Sequence, residues 1–136
     1  MKRGKRVRPE VGAEYVLLVT PHYNDRTKEQ VTLIALRTVN MFTAFRYELV
    51  VAPTIDDRRI TLLIQGLRAP GVTLPAMGPA EFRYECSDLR GPYEIVVSKH
   101  GKAADTYTVE VGSAAVRILN VPNKRFSEIV TRKEDW

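Results

Sequence analysis

The sequence predicts an all-β protein: a two-layer antiparallel β-sandwich of about eight strands, with a basic N-terminal arm and a short C-terminal helix or tail. Three observations predict this. Apolar and polar residues alternate with a period of two in one segment after another, and Gly, Pro, Asn and Asp separate these segments at regular spacing. The 136 residues suit one domain, divided here into an arm (1–13), a sandwich (14–121) and a C-terminal helix or tail (122–136).

Residues 81–111 carry the clearest pattern, three strands in succession. Their alternating apolar residues fall in three sets, namely Phe82, Tyr84 and Cys86, then Tyr93, Ile95 and Val97, then Tyr107, Val109 and Val111. Alternation of this kind places each set on one face of a pleated sheet. Gly91-Pro92 and residues 98–102 supply the turns between the strands.

The same alternation predicts five further strands, at residues 14–20, 30–40, 45–51, 59–65 and 115–120, with a turn at 53–57 and room for a very short strand at 72–74. In segment 30–40 the apolar residues fit helical spacing as well as strand spacing, and a helix over residues 28–45 would make the fold α+β. We favour a strand because Val, Ile and Thr are frequent there. The segment 123–136 has Phe126, Ile129, Val130 and Lys133 at helical spacing, which favours a short helix or tail.

One segment resembles immunoglobulin-like sandwiches. Asp88, Gly91, Tyr93 and Ile95 are spaced much as at the start of the penultimate strand of those domains, where a tyrosine bonds back to the preceding turn. The aspartate is one residue further from the tyrosine than is usual, and Pro92 is an addition. The chain also has no cysteine pair, and its single tryptophan is residue 136. The resemblance therefore implies an immunoglobulin-like fold and no particular function.

Charge and cysteine content limit the classes of function. The net charge is +5, and most of it lies in an arm that contains Lys2, Arg3, Lys5, Arg6 and Arg8. A single cysteine, Cys86, excludes an internal disulfide and an all-cysteine zinc site, so we interpret it as a small core residue. No secretory signal or membrane-length apolar run is present, and a cytoplasmic location is the default expectation, with a mature fragment of an exported protein left open.

No pattern of residues predicts catalysis, a cofactor or a metal. His22 and Asp25 could form half of an acid–base or metal pair, but a solvated loop is the ordinary interpretation, and His100 lies between Lys99 and Lys102. The paired carboxylates Asp56 and Asp57 are followed directly by two arginines, which neutralise them rather than separating their pKa values. We therefore expect a protein that is not an enzyme.

The favoured function is a non-enzymatic interaction module, a subunit or accessory domain of a larger protein assembly, with a protein partner or a second copy of itself. Its expected contacts are an edge strand, the apolar outer side of residues 59–65 at Leu63, the arm, and three anchors near the C-terminus, Phe126, Ile129 and Trp136. Nucleic-acid binding through the arm is the alternative, with at most five phosphates neutralised and a salt slope no steeper than about −4.5. A small-ligand or carbohydrate site on loop aromatics such as Tyr23 is a further alternative.

Overall fold

The computed structural model describes residues 13–69, 76–100 and 103–136. These residues form nine strands and a one-turn 3-10 helix at Lys133–Asp135. In chain order the strands are β1 (Tyr15–Asn24), β2 (Glu29–Thr38), β3 (Glu48–Asp56), β4 (Arg59–Arg68), β5 (Glu81–Cys86), β6 (Gly91–Lys99), β7 (Ala103–Val111), β8 (Val116–Asn120) and β9 (Ser127–Val130). The basic arm and the possible short strand at 72–74 lie outside the described residues, apart from Ala13 of the arm.

All eight predicted main strands are confirmed, including the ambiguous segment, which forms β2. The central residues of β2, from Val31 to Leu36, are all buried, because its two faces both pack against protein. An all-buried strand loses its period of two, which explains why helical spacing competed in the sequence.

The turn predicted at residues 53–57 is placed too early. β3 continues through Pro53 to Asp56, and the chain reverses at Asp57, whose φ is 55°. Pro53 pairs with Leu62 of β4, whereas β5 pairs with β3 only at Glu48. Within the described residues, Pro53 therefore lies on a strand whose second edge has no strand partner at that point, where a missing N–H is tolerated.

The predicted C-terminal helix is wrong for residues 127–130. These residues form β9, which runs parallel to β1 with Tyr15 opposite Ser127 and Leu18 opposite Val130. All four residues of β9 are buried, so the apolar spacing that resembled a helix reflects burial on both faces. Only Lys133–Asp135 turn helically, as a 3-10 helix.

The nine strands form one curled, mixed sheet in the order β8-β7-β6-β4-β3-β5-β2-β1-β9. The expected all-antiparallel pairing is wrong, because β1–β9, β3–β5 and β4–β6 are parallel. A single pair, Glu48 opposite Glu81, joins the five strands on the β8 side to the four on the β9 side. The sheet is curled, and the core lies on its concave face.

Every strand contributes to that core. The side chains that are fully buried in it include Leu17, Ile34, Leu36, Ile60, Leu62, Ile95, Val97, Tyr107 and Val109. A second, smaller cluster lies on the convex face of β1, β2 and β9 and consists of Val16, Leu18, Leu33, Ala35 and Val130. We call this second group the outer cluster.

Tyr93, the residue on which the resemblance depends, is buried at the start of β6. Its ring faces the guanidinium of Arg58 at 4.8 Å, and Arg58 belongs to the β3–β4 turn. The Arg58 carbonyl also accepts a hydrogen bond from the backbone N–H of Glu94, at 2.9 Å. Tyr93 therefore helps to fix the β3–β4 turn against β6.

Candidate interaction surfaces

Leu63 lies on the convex face of β4, where it is half-buried. Its neighbours in the sheet are Ala52 on β3 and Ser98 on β6, and the adjacent row is Thr54, Thr61 and Val96. These two rows form a flat patch without charged side chains. Ion pairs border the patch on two sides, Arg59 with Glu94 at 2.8 Å and Arg68 with Glu48 at 2.5 Å.

Two of the three predicted C-terminal anchors turn inward. Ile129 is only 9% exposed and packs in the concave core, and a role for it as a partner anchor stays a prediction. Phe126 is half-buried, with its ring edge-on to Tyr15 at 6.2 Å and the Lys99 ammonium 4.7 Å from the ring centre. For Ile129 the reason is β9 itself, because alternate side chains of a strand point to the same face of the sheet, and Ile129 points into the core.

Trp136, the third anchor, packs against its own chain. Its Nε1 donates a hydrogen bond to the carbonyl oxygen of Val16 at 3.0 Å, and its ring rests on the outer cluster. The guanidinium groups of Arg37 and Arg83 lie 5.9 and 5.3 Å from the ring centre. Trp136 is half-buried, so part of its surface is already used within the molecule.

The free edge of β8 is the surface that the sequence reasoning missed. Ile118 is 41% exposed and Leu119 is 48% exposed, and Val121, just after the strand, is 37% exposed. Within the described ranges, β7 is the only strand that pairs with β8, so the opposite edge of β8 has no strand partner there. The signal in the sequence was the adjacent Ile118-Leu119, which makes both faces of a short strand apolar.

The other edge of the sheet differs. β9 occupies it, and its residues Ser127 to Val130 are all buried. Even Glu128 is buried, within 3.4 Å of the Arg125 guanidinium. The two edges thus contrast, and β8 is the one that presents apolar side chains to solvent.

Polar side chains meet inside the core between β7 and β9. Asp105, Tyr107 and Ser127 are at most 1% exposed. The Tyr107 hydroxyl and Ser127 Oγ are 2.6 Å apart, and Asp105 Oδ2 accepts from Ser127 Oγ at 2.5 Å. Burial raises the pKa of Tyr107 well above its usual value, which keeps the hydroxyl protonated. These hydrogen bonds link β7 to β9 within the core.

The polar residues weighed in the sequence have other partners in the structure. His22 contacts Lys133 and Glu85, not Asp25, with 2.7 Å from Nδ1 to Nζ and 3.7 Å from Nε2 to the carboxylate. Asp56 and Asp57 are both exposed, and Arg59 pairs with Glu94 instead of with them. In the described part of the chain, no group of three His, Cys, Asp or Glu side chains could hold a metal ion.

Two open surface clefts, of about 480 and 400 Å³, lie at the β3–β4 turn and beside Pro21, Val116 and Lys133. A smaller cavity, of about 200 Å³, opens at one end of the curled sheet. Tyr15, Thr38, Phe42, Leu49 and Leu67 are among its lining residues. Pockets for drug-sized ligands usually measure about 300–1,000 Å³. Tyr23, the aromatic predicted for a ligand site, is 49% exposed on β1 and does not line this cavity.

The comparisons with known proteins found no match: no family model, no curated protein and no solved structure is similar to this chain. Among the described residues, no helix has the length and apolar character needed to cross a membrane. The five basic residues of the arm lie outside the described residues, so nucleic-acid binding through them stays a prediction.

Proposed function

We propose that this protein is a non-enzymatic interaction module, a subunit or accessory domain of a larger protein assembly, that binds its partner along the edge of β8. The observation that carries the proposal is the exposure of Ile118, Leu119 and Val121 on that edge. An added strand would pair its backbone with β8 and cover these side chains.

The charges of β8 favour this use of the edge. Natural proteins commonly protect an exposed edge with lysine, proline or an inward-facing charge, because an open apolar edge invites association. The one charged residue of β8, Arg117, forms an ion pair with Glu110 of β7. The Arg117 guanidinium is thus paired within the sheet, and the remaining residues of β8 are uncharged.

We also propose that the two halves of the curled sheet act as the two layers of an immunoglobulin-like sandwich. The single pair that joins them, Glu48 opposite Glu81, and the core enclosed between them support this interpretation. An experimental structure in which β3 and β5 separate fully would favour two layers. A continuous ladder of several β3–β5 pairs would contradict the two-layer interpretation.

The proposed function is tested with Leu119→Lys, which places a charge on the β8 edge, and with Ile55→Lys as a control. Ile55 is 46% exposed on β3 and therefore matches Leu119 in exposure but not in location. The measurement is light scattering after size exclusion, together with quantitative capture of partners from a lysate by each variant.

We expect wild type and Ile55→Lys to form the same complex, and Leu119→Lys to lose at least about tenfold in affinity, since a desolvated charge is unfavourable at such a contact. Both variants should keep the melting temperature of wild type, because the substituted side chains are exposed. A monomeric wild type that captures nothing, or a complex that both variants form equally, would overturn the proposal.

A further inference from the structure

The C-terminal strap, residues 131–136, is attached to the convex face of the sheet at two points. Trp136 covers part of the outer cluster and donates to the Val16 carbonyl oxygen. Three residues earlier, Lys133 Nζ lies 2.7 Å from Nδ1 of His22 on β1. The two points are coupled, because the backbone N–H of Trp136 donates to the Lys133 carbonyl oxygen at 3.1 Å within the 3-10 turn.

The contact between Lys133 and His22 requires a neutral imidazole. Lys133 is a cation and can only donate, so Nδ1 of His22 must offer its lone pair. A proton on Nδ1 removes the acceptor and places two positive charges at the same short distance. The other ring nitrogen faces the carboxylate of Glu85 at 3.7 Å, so a protonated ring would lie between an ammonium group and a carboxylate.

We propose that the C-terminal strap is a pH-sensitive cover, which loosens from the outer cluster when His22 takes up a proton. Protonation replaces the Lys133 hydrogen bond with repulsion and pulls the ring towards Glu85. Lys133 then moves away, and the 3-10 turn transmits this displacement to Trp136. Acidification thereby uncovers apolar side chains on the convex face, independently of any partner that binds β8.

Two charged groups of the described residues contact His22, namely Lys133 in the strap at 2.7 Å and Glu85 on β5 at 3.7 Å. The other charged side chains carried by the same elements are Arg83 on β5, Glu29 on β2, Asp25 and Arg26 in the β1–β2 turn, and Arg132 and Glu134 in the strap. Arg132 pairs within the strap, with Asp135 at 3.1 Å and Glu134 at 3.7 Å. Between pH 8 and pH 5 carboxylates, arginines and lysines of ordinary pKa keep their charge, so histidine is the group that changes.

The test uses the fluorescence of Trp136, which is the only tryptophan of the chain. Acrylamide quenching is measured from pH 8 to pH 5 on the full-length protein. We expect the quenching constant of wild type to rise by about twofold to fivefold in one step, the size suited to loss of one exposed charged contact. Binding of an apolar dye should rise over the same pH range.

Three variants make the test specific. His22→Gln should abolish the step, while His100→Gln should keep it, because His100 is the only other histidine and is exposed in the β6–β7 turn. Lys133→Met, which cannot donate, should show high quenching already at pH 8 and no step. Quenching of wild type that is unchanged by pH, or a step that survives in His22→Gln or Lys133→Met, would overturn the proposal.

Discussion

Asp105 of β7 binds Ser127 of β9 twice: its Oδ2 lies 2.5 Å from the Ser127 hydroxyl and 3.0 Å from the Ser127 backbone nitrogen. The same oxygen also accepts from the backbone N–H of Phe126 at 3.0 Å. β7 and β9 are distant in the strand order, so this buried carboxylate connects opposite ends of the curled sheet. It also satisfies backbone donors at the start of a strand that no local sequence pattern announces.

Asp105→Ala should therefore destabilise the fold strongly. It leaves three donors without their acceptor, two of them buried and the third half-buried, and we expect the free energy of unfolding to fall by about 3–5 kcal/mol. Chemical denaturation followed by circular dichroism measures the change. Asp56→Ala, at the exposed end of β3, is the control and should stay within about 0.5 kcal/mol of wild type. A loss below about 1 kcal/mol for Asp105→Ala would show that β9 does not depend on this carboxylate.

Ile129 and Leu63 should respond differently to truncation, although the sequence predicted both as partner contacts. Ile129→Ala leaves a cavity in the concave core and should cost about 2–5 kcal/mol of unfolding free energy. Leu63→Ala removes a half-buried side chain from the convex face and should cost less than about 1 kcal/mol. Equal losses in urea unfolding would contradict the placement of Ile129 inside the sheet.

Cys86 should be inert in the folded protein. It is 5% exposed, and burial raises the pKa of its thiol to about 11. At pH 8 an aromatic disulfide reagent should react only after unfolding, because the thiolate is the nucleophile. Rapid labelling of the folded protein would disprove the burial of this thiol.

The same pKa gives a stability prediction with a definite sign. The Cys86 thiol stays protonated in the folded state at pH values where the thiol of the unfolded chain is already ionised. The contribution of Cys86 to the free energy of unfolding is therefore complete below about pH 9 and is lost as the pH rises towards about 11. Stability should therefore fall more steeply over this range in wild type than in Cys86→Ala. Tyr15 and Tyr107, whose pKa values are also raised, are present in both proteins and cancel in the comparison.

The arm supports a separate prediction about nucleic acid. If its five cations bind phosphates, affinity for a polyanion should fall with salt with a slope no steeper than about −4.5, and deletion of residues 1–8 should abolish both affinity and slope. Fluorescence anisotropy with a labelled oligonucleotide at several salt concentrations measures this. Unchanged affinity in the deletion would exclude the arm as the binding element.

Sequence patterns predicted the strands whose apolar alternation can be recognised within a single segment. Tyr93, Ile95 and Val97 alternate because β6 has one face in the core and one on the convex surface, and this is readable from a single strand. β9 was not readable, because its parallel partner β1 lies more than a hundred residues away in sequence. Pro53 misled for a related reason: whether a proline ends a strand depends on whether the neighbouring edge is paired.

The candidate surfaces depended still more on tertiary structure. The alternation in residues 115–120 identified a strand, but only the sheet order shows that it is an edge. Trp136 looked like an external anchor because it is a large aromatic residue at the end of the chain. Its contacts with Val16, Arg37 and Arg83 involve three strands that no local pattern places beside residue 136.

The most direct test of the central claim is amide hydrogen exchange of the captured complex against the free protein. Backbone pairing along β8 predicts that amides of residues 116–121 exchange more slowly in the complex, while those of the Leu63 patch do not change. Protection confined to the Leu63 patch or to the outer cluster, with β8 unchanged, would contradict binding along this edge.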